Sequence, residues 1–382
     1  MLEAPDRSAP PGVAVPLIDL QAQLTTIRTA IDEAVSDVID SQRFVLGAPV
    51  EEFEARIAAL VGTAHAIGCA SGTDALLLPL RLLAPEDSGR VIVPAFTFFA
   101  TAGAVHNAGL TPVFCDVDEA TFNVTPESLE RAWTDDTLGL IPVHLFGQMA
   151  PMEPIMEMAR ERGAWVLEDA AQAIGASQSG VGAAGSVGIA GSFSFFPTKN
   201  LGAFGDAGMI TTNDGDLARR LQEFRVHGGL QMYHHDVVGT NSRIDALQAA
   251  VLLAKLPFLD GWYRARRSHA ARYLEALGDV DGVELPATLP GNDHVYNQFT
   301  VRVRDRDGLR AHLSDNRIGS GIYYPVPLHL QPCFRHLGYR EGDLPVSEAL
   351  SSSVLSLPVV PELDEEQIDA VIFRIREYYG TP

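Results

Sequence analysis

The chain predicts an α/β fold: a mainly parallel sheet between helices, followed by a smaller α/β unit. Three observations lead there. Between about residues 60 and 215, short apolar runs alternate with amphipathic stretches. Runs such as Val91-Ile92-Val93 and Ala164-Trp165-Val166-Leu167 are apolar at consecutive positions, as strands covered on both faces must be. Near residue 280 the texture changes to sparser strands and one strongly amphipathic terminal helix. A length of 382 residues also exceeds one ordinary domain.

In chain order, residues 1–16 (MLEAPDRSAPPGVAVP) are rich in Pro and Ala with an acidic start and no apolar core. They read as a flexible arm, not as a signal peptide. Residues 17–257 form the expected large domain, with candidate strands at 65–70, 91–96, 111–117, 138–146, 164–169, 191–196 and 207–212. Helices fall between several of them, at 73–83, 98–108, 151–162 and 216–225. A long helical region follows over 242–277, split at Pro257. Residues 258–382 hold a linking helix and the small C-terminal domain. There 296–303 alternates like a half-exposed strand, 307–316 is helical and 321–325 is again strand-like. The last helix, 364–379, has Asp364 as its N-cap and places Ile368, Val371, Ile372 and Ile375 on one face. No internal repeat is present.

Composition narrows the function. The net charge of −21 (28 basic against 49 acidic residues) repels nucleic acid and anionic membrane. Hydrophobic content of 46% and charged content of 20% are those of a soluble globular protein, and no apolar run approaches bilayer length. Cys69, Cys115 and Cys333 show neither metal spacing nor a disulfide framework, which favours a reducing, cytoplasmic setting.

Only two lysines, Lys199 and Lys255, stand against 26 arginines. A lysine can lose its proton and attack a carbonyl, whereas an arginine cannot. A G+C-rich genome accounts for the scarcity, but not for a survivor in the Gly- and Ser-rich stretch Ser194-Phe195-Phe196-Pro197-Thr198-Lys199-Asn200-Leu201-Gly202. Lys255 closes an apolar helix before Pro257, which leaves Lys199 as the reactive amine.

Four features join around Lys199 as a pyridoxal phosphate site. Ala70-Ser71-Gly72-Thr73-Asp74 is a small-residue turn between strand and helix, where free amides, the Gly72 backbone and the Thr73 hydroxyl suit a phosphate. Asp169 ends strand 164–169 and suits a pyridine nitrogen; Gln172 suits the ring's phenolic oxygen. Ser194, five residues before Lys199, reaches the same phosphate. Pro94-Ala95-Phe96-Thr97-Phe98-Phe99 supplies an aromatic face. Singly, each has a plainer reading: a helix cap at 71–73, a cap or metal ligand at Asp169, core packing for the phenylalanines. Gly180-Val181-Gly182-Ala183-Ala184-Gly185 has the spelling of a dinucleotide turn, but no strand leads into it and no helix pattern follows.

The order SGTDAL, PAFTFFAT, EDAAQ, SFSFFPTKNLGAFGD, GTNSRIDALQAA and YPVPLHLQP resembles the nucleotide-sugar aminotransferase family of the DegT/StrS type, over almost the whole chain. The resemblance implies the aspartate aminotransferase-like fold (fold type I of pyridoxal phosphate enzymes), with a seven-stranded sheet. It also implies a homodimer with active sites at the interface. It makes Lys199 the lysine that bonds the cofactor aldehyde, Asp169 the pyridine-nitrogen partner and Gln172 the phenolic-oxygen partner. Gly72, Thr73 and Ser194 take the phosphate, and Phe98 stacks. Asn241 falls where the neighbouring subunit supplies a phosphate ligand; from its own sequence it would, with Ser242, cap a helix at 243–256. Arg243, Tyr323 and His329 fall on substrate-facing positions. Tyr323-Tyr324-Pro325 departs from the His-Tyr-Pro of many relatives, and Gly205-Asp206-Ala207-Gly208 from the usual Gly-Asp-Gly-Gly.

The implied reaction passes an amino group, from L-glutamate, through pyridoxamine phosphate to a keto sugar on a nucleotide diphosphate, with no metal. Tyr233-His234-His235 with Val238 to Arg243 resembles the branch acting on 3-keto sugars; the alternative is a 4-keto-6-deoxy sugar. Some relatives are regarded as regulatory proteins, a reading that predicts loss of the lysine, the aspartate or the phosphate cradle.

Overall fold

The computed structural model describes residues 13–84, 88–231 and 233–381. Its main sheet is seven-stranded: β1 (His65–Cys69), β2 (Arg90–Pro94), β3 (Thr111–Cys115), β4 (Thr137–Leu140), β5 (Trp165–Asp169), β6 (Ala190–Ser194) and β7 (Gly208–Thr212). Their spatial order is β1-β7-β6-β5-β4-β2-β3. Each matches an expected strand to within a few residues at its start. β7 runs antiparallel to both β1 and β6, and the other neighbours are parallel. The reversal follows from the connection: no helix lies between β6 and β7, and a parallel return needs a long crossover. The loop joining them carries Lys199.

Helices cover the sheet. The expected ones appear as α3 (Gly72–Leu83), α4 (Ala100–Asn107), α6 (Met152–Glu161), α7 (Gly215–Phe224), α8 (Ala246–Lys255) and α9 (Leu259–Leu277). A 3-10 turn at Leu256–Phe258, with Pro257 inside it, separates α8 from α9. Four further helices have no counterpart in the residue-by-residue reading: α1 (Leu20–Ser41), α2 (Ala48–Val61), α5 (Pro126–Ala132) and α11 (Pro345–Ser353). Phe53 of α2 meets Phe195 edge-on at 5.2 Å between ring centroids, which anchors the end of β6.

A separate apolar cluster gathers Tyr273 of α9 with Phe299, Val301, Leu355, Ile368, Val371 and Ile375. It is built on β8 (Phe299–Val303) and β9 (Val354–Leu357), which pair antiparallel, flanked by α10 (Arg306–Asp315) and α12 (Glu365–Tyr379). Residues 321–325 do not make the expected strand. Gly321 forms only an isolated bridge to Ser356, and Pro325 and Pro327 remove the donors a ladder would need. Chain 328–347, before and into α11 (Pro345–Ser353), packs back on the main sheet layer. Phe334 stands 5.4 Å from Phe114, and the Ser347 amide donates to Asp116 Oδ1 at 2.8 Å.

Residues 1–12 of the expected arm lie outside the described residues. Its last residues are packed: Val15 is fully buried and bridges Ile318. The Gly180–Gly185 stretch forms a small hairpin, Ser177–Gln178 against Gly182–Ala183, and leads into β6 without a helix. Among the described residues, no helix is long and apolar enough to cross a membrane.

Asp364 caps α12 through a reciprocal pair: its carboxylate accepts from the Gln367 amide at 2.8 Å, and its own amide donates to Gln367 Oε1 at 3.1 Å. Asp364→Ala is expected to lower stability by about 1 kcal/mol, read as a shift of the urea midpoint with unchanged slope.

Candidate active site

The carboxyl ends of the parallel strands converge on one edge of the sheet, where an α/β crevice forms. β1 delivers Ser71 and Gly72, β2 delivers Phe98 and Thr101, and β4 delivers His144 and Phe146. β5 delivers Asp169 and Gln172, and β6 delivers Ser194. Lys199 follows in the β6–β7 loop.

Asp169 is buried at the end of β5. Its Oδ2 accepts from Thr101 Oγ1 at 2.8 Å, and its Oδ1 from the Ala171 amide at 3.2 Å. Burial pushes its carboxyl above the usual carboxylate range; the Thr101 and Ala171 bonds and the nearby Lys199 ammonium oppose that rise. Burial lowers the Lys199 amine to about 8, and the charge of Asp169 pulls it the other way. The two groups are thus close enough to feel each other, as the sequence reading requires.

Gln172 has its amide direction set by its neighbours. Its Oε1 accepts from the Phe146 amide at 2.6 Å, and its Nε2 donates to the Tyr324 hydroxyl at 3.2 Å. Phe146 adopts φ of 58°, an uncommon left-handed conformation for a bulky residue, in making that bond. Phe98 is 58% exposed, with its ring 6.1 Å from that of Tyr324. An accessible aromatic ring therefore stands beside Tyr324, the hydroxyl partner of the Gln172 amide.

Ser71 caps α3, its Oγ accepting from the Asp74 amide at 3.1 Å. By helix geometry the Gly72 and Thr73 amides have no intrahelical acceptor, so the positive end of α3 is open to an anion. A Cβ at Gly72 would sit 2.5 Å from Ser194 Cβ, so only glycine brings this turn against Ser194. Thr73 is exposed on the first turn. The donors suit the expected cofactor: open amides and a hydroxyl for a phosphate, a carboxylate for a ring nitrogen, an amide NH2 for a phenolic oxygen, and an amine of lowered pKa for an aldehyde.

The more distant candidates differ. Asn241 is exposed and bridges Val226, while Ser242 is buried and turned inward. Its Oγ donates to Asp74 Oδ2 at 2.7 Å and accepts from the Ala70 amide at 3.3 Å. The expected cap at 241–242 is therefore corrected: α8 begins at Ala246, behind Asp245. Arg243 makes no ion pair among the described residues and, with His227, Leu230, Tyr233 and Val238, lines a cavity of about 1090 Å³. Tyr323 is half-buried, 5.9 Å ring to ring from Tyr324. His329 is not brought to the crevice. It is buried, with Nε2 3.0 Å from Glu348 Oε1, and a sealed imidazole cannot touch a ligand.

The residue-by-residue reading gave no role to Thr101, Tyr324 or His144. Thr101 and Tyr324 lie inside motifs it quoted, but their partners are distant in sequence. His144 is fully buried; its Nδ1 accepts from the Ala150 amide at 3.2 Å, so Nε2 carries the proton toward Glu168 Oε2 at 2.8 Å. Two signals were available: Pro142-Val143-His144-Leu145-Phe146-Gly147 lies within the family resemblance, and Glu168 is a charged residue in an otherwise apolar strand.

The chain belongs to the DegT/DnrJ/EryC1/StrS aminotransferase family, whose pattern matches residues 25–376. It is 48% identical to a pleiotropic regulatory protein of Geobacillus stearothermophilus, over 96% of this chain and 98% of that protein. It is 47% identical to a UDP-N-acetyl-3-dehydro-alpha-D-glucosamine 3-aminotransferase of Acidithiobacillus ferrooxidans, again over 96% of this chain and 98% of the relative. Its fold superimposes on S. venezuelae DesV, solved in complex with a ketimine intermediate. That match has a TM-score of 0.94 and 43% identity, covering 97% of this chain and 99% of the other. The expected family and fold are those found.

In cofactor-free protein, Lys199 is expected to titrate near pH 8: below it the amine is protonated and inert, above it neutral and nucleophilic. Competitive acetylation against pH, read on the Lys199 peptide by mass spectrometry, measures the midpoint. Asp169→Asn removes an attraction for the ammonium, so the midpoint should move lower still.

Proposed function

We propose that the protein is a pyridoxal phosphate-dependent aminotransferase that places an amino group, taken from L-glutamate, on carbon 3 of a keto sugar linked to a nucleotide diphosphate. The observation that carries the reading is the lowered Lys199 amine beside buried Asp169 at the carboxyl edge of the sheet. When bound, the cofactor supplies an electrophilic carbonyl carbon and a ring that accepts the electron pair released at the substrate carbon. The chain's own groups do the rest.

Asp169, oriented by Thr101, keeps a positive ring nitrogen paired. Gln172 donates its free N–H to the phenolic oxygen. The Gly72 and Thr73 amides with Ser194 hold the phosphate, and Phe98 covers a ring face. Lys199, uncharged once displaced, takes a proton from one carbon and returns it to the other; an amine pKa near ambient pH suits both halves of that transfer.

Support for carbon 3 comes from the Tyr233-to-Arg243 stretch and from the activity that names the Acidithiobacillus relative. Glutamate rests on the family resemblance. We place the active site at a homodimer interface, with Asn241 reaching the partner's phosphate. What supports this is an apolar loop left open by the single chain: Leu230, Val237 and Val238 are 63%, 48% and 95% exposed, and Tyr233 is 90% exposed. The regulatory reading that the Geobacillus relative's name raises has no counterpart in these residues, since lysine, aspartate and cradle all persist.

A panel of 3-keto and 4-keto sugar nucleotides, assayed with glutamate and pyridoxal phosphate, tests the function. Amination of the 3-keto members alone is expected; no amination of any member would refute the reading. Lys199→Ala should lose covalent trapping of the cofactor by borohydride, with turnover falling roughly 10²–10⁴-fold or more.

A further inference from the structure

The second lysine has no place in the chemistry above, yet it is buried and built into the same loop. Lys255, the last residue of α8, is 2% exposed and its Nζ donates to the Gly202 carbonyl at 2.7 Å. The ammonium also lies 4.9 Å from the centroid of the Phe204 ring. Seven residues earlier on α8, and so on the same helical face, Gln248 engages both backbone groups of Phe204. Its Oε1 accepts from the Phe204 amide at 2.8 Å, and its Nε2 donates to the carbonyl at 3.3 Å.

The loop is held on its other side as well. Asn200 donates to the Val295 carbonyl at 3.2 Å and accepts from Asn297 Nδ2 at 2.9 Å. From Pro197 to Gly202 the chain doubles back so tightly that a Cβ on Gly202 would lie 2.3 Å from the Pro197 carbonyl oxygen. Lys199 lies within that turn, immediately before the bonded Asn200 and three residues before Gly202, whose carbonyl Lys255 holds.

We infer that Lys255, together with Gln248, is a positioning residue for the Lys199 amine: α8 clamps residues 202–204 and thereby keeps the amine desolvated and facing Asp169. This rests on Lys199 being the reactive amine of the proposed function. A slim stem ending in a compact ammonium fits between a carbonyl and an aromatic face, where a planar guanidinium is bulkier. That accounts for a lysine at 255 in a chain that otherwise meets its cationic needs with arginine.

The test uses Lys255→Met, Lys255→Arg and Gln248→Ala in the full chain. In cofactor-free protein, competitive acetylation of Lys199 is expected to shift its midpoint upward from about 8 toward the ordinary lysine range, because a loosened loop lets water reach the amine. Amide hydrogen exchange at 202–204 should speed up at least tenfold in Lys255→Met and Gln248→Ala, with Lys255→Arg between these and the parent. With pyridoxal phosphate present, kcat should fall at least tenfold while KM for the keto sugar holds.

If the Lys199 midpoint and the exchange rates stay at parent values while only the melting temperature drops, Lys255 merely fills space and the inference is overturned. Should Lys255→Met not fold, Gln248→Ala decides by the same two readouts. Failure of the parent protein to trap pyridoxal phosphate at Lys199 would instead sink the proposed function, while leaving the cofactor-free comparison readable.

Discussion

Glu168 is fully buried at the centre of the sheet, and the site depends on how its charge is satisfied. Its carboxylate accepts from the Gly185, Val187 and Gly188 amides at 2.9, 2.7 and 2.7 Å, and His144 Nε2 stands 2.8 Å away. A buried charge without such partners would be very costly, so the four contacts have to form together. They tie the end of β4, the end of β5 and the entry to β6 into one unit. Successive strand side chains point to opposite faces, so fixing Glu168 on one face directs Asp169 to the other. There Thr101 receives it.

The antiparallel β7 is the second constraint. With no helix between β6 and β7, the intervening loop must turn back at the carboxyl edge, beside the ends of β1 and β5. Lys199 is therefore carried to the place where Asp169 emerges. Gly208, the first residue of β7, comes so close to the α3 entry that a Cβ there would stand 2.2 Å from the Ser71 carbonyl oxygen. Amine, carboxylate and helix N-terminus are brought together by strand order, and the helices α8 and α3 then hold the two flanking turns.

Much of this was legible in residue order. Consecutive apolar runs mark strands covered on both faces, which is why all seven members of the main sheet were found. Lys199, Asp169, Gln172, Gly72 and Ser194 stand in short motifs whose chemistry is local: each is placed by its own strand end or helix start. The α1 and α2 helices were legible too, since Ile27, Ile31 and Val38 and then Val50, Phe53, Ile57 and Val61 recur at helical spacing. They lie ahead of the alternating strand and helix pattern, and only their packing against α8 is a tertiary fact. The stretch 321–325 makes no strand because Pro325 at its end and Pro327 beyond it outweigh its β-rich composition.

Sequence by itself determined the fold class and singled out Lys199 and Asp169 as the proposed amine and carboxylate, because apolar periodicity and residue reactivity are properties of neighbours in the chain. Only the tertiary structure decided which partners tune those groups. Thr101 reaches Asp169 across 68 positions and Tyr324 reaches Gln172 across 152. Burial sealed His329 against Glu348 and turned Lys255 onto the loop of Lys199. Such contacts depend on which elements stack, and desolvation depends on everything that covers a group, so neither can be read from spacing alone.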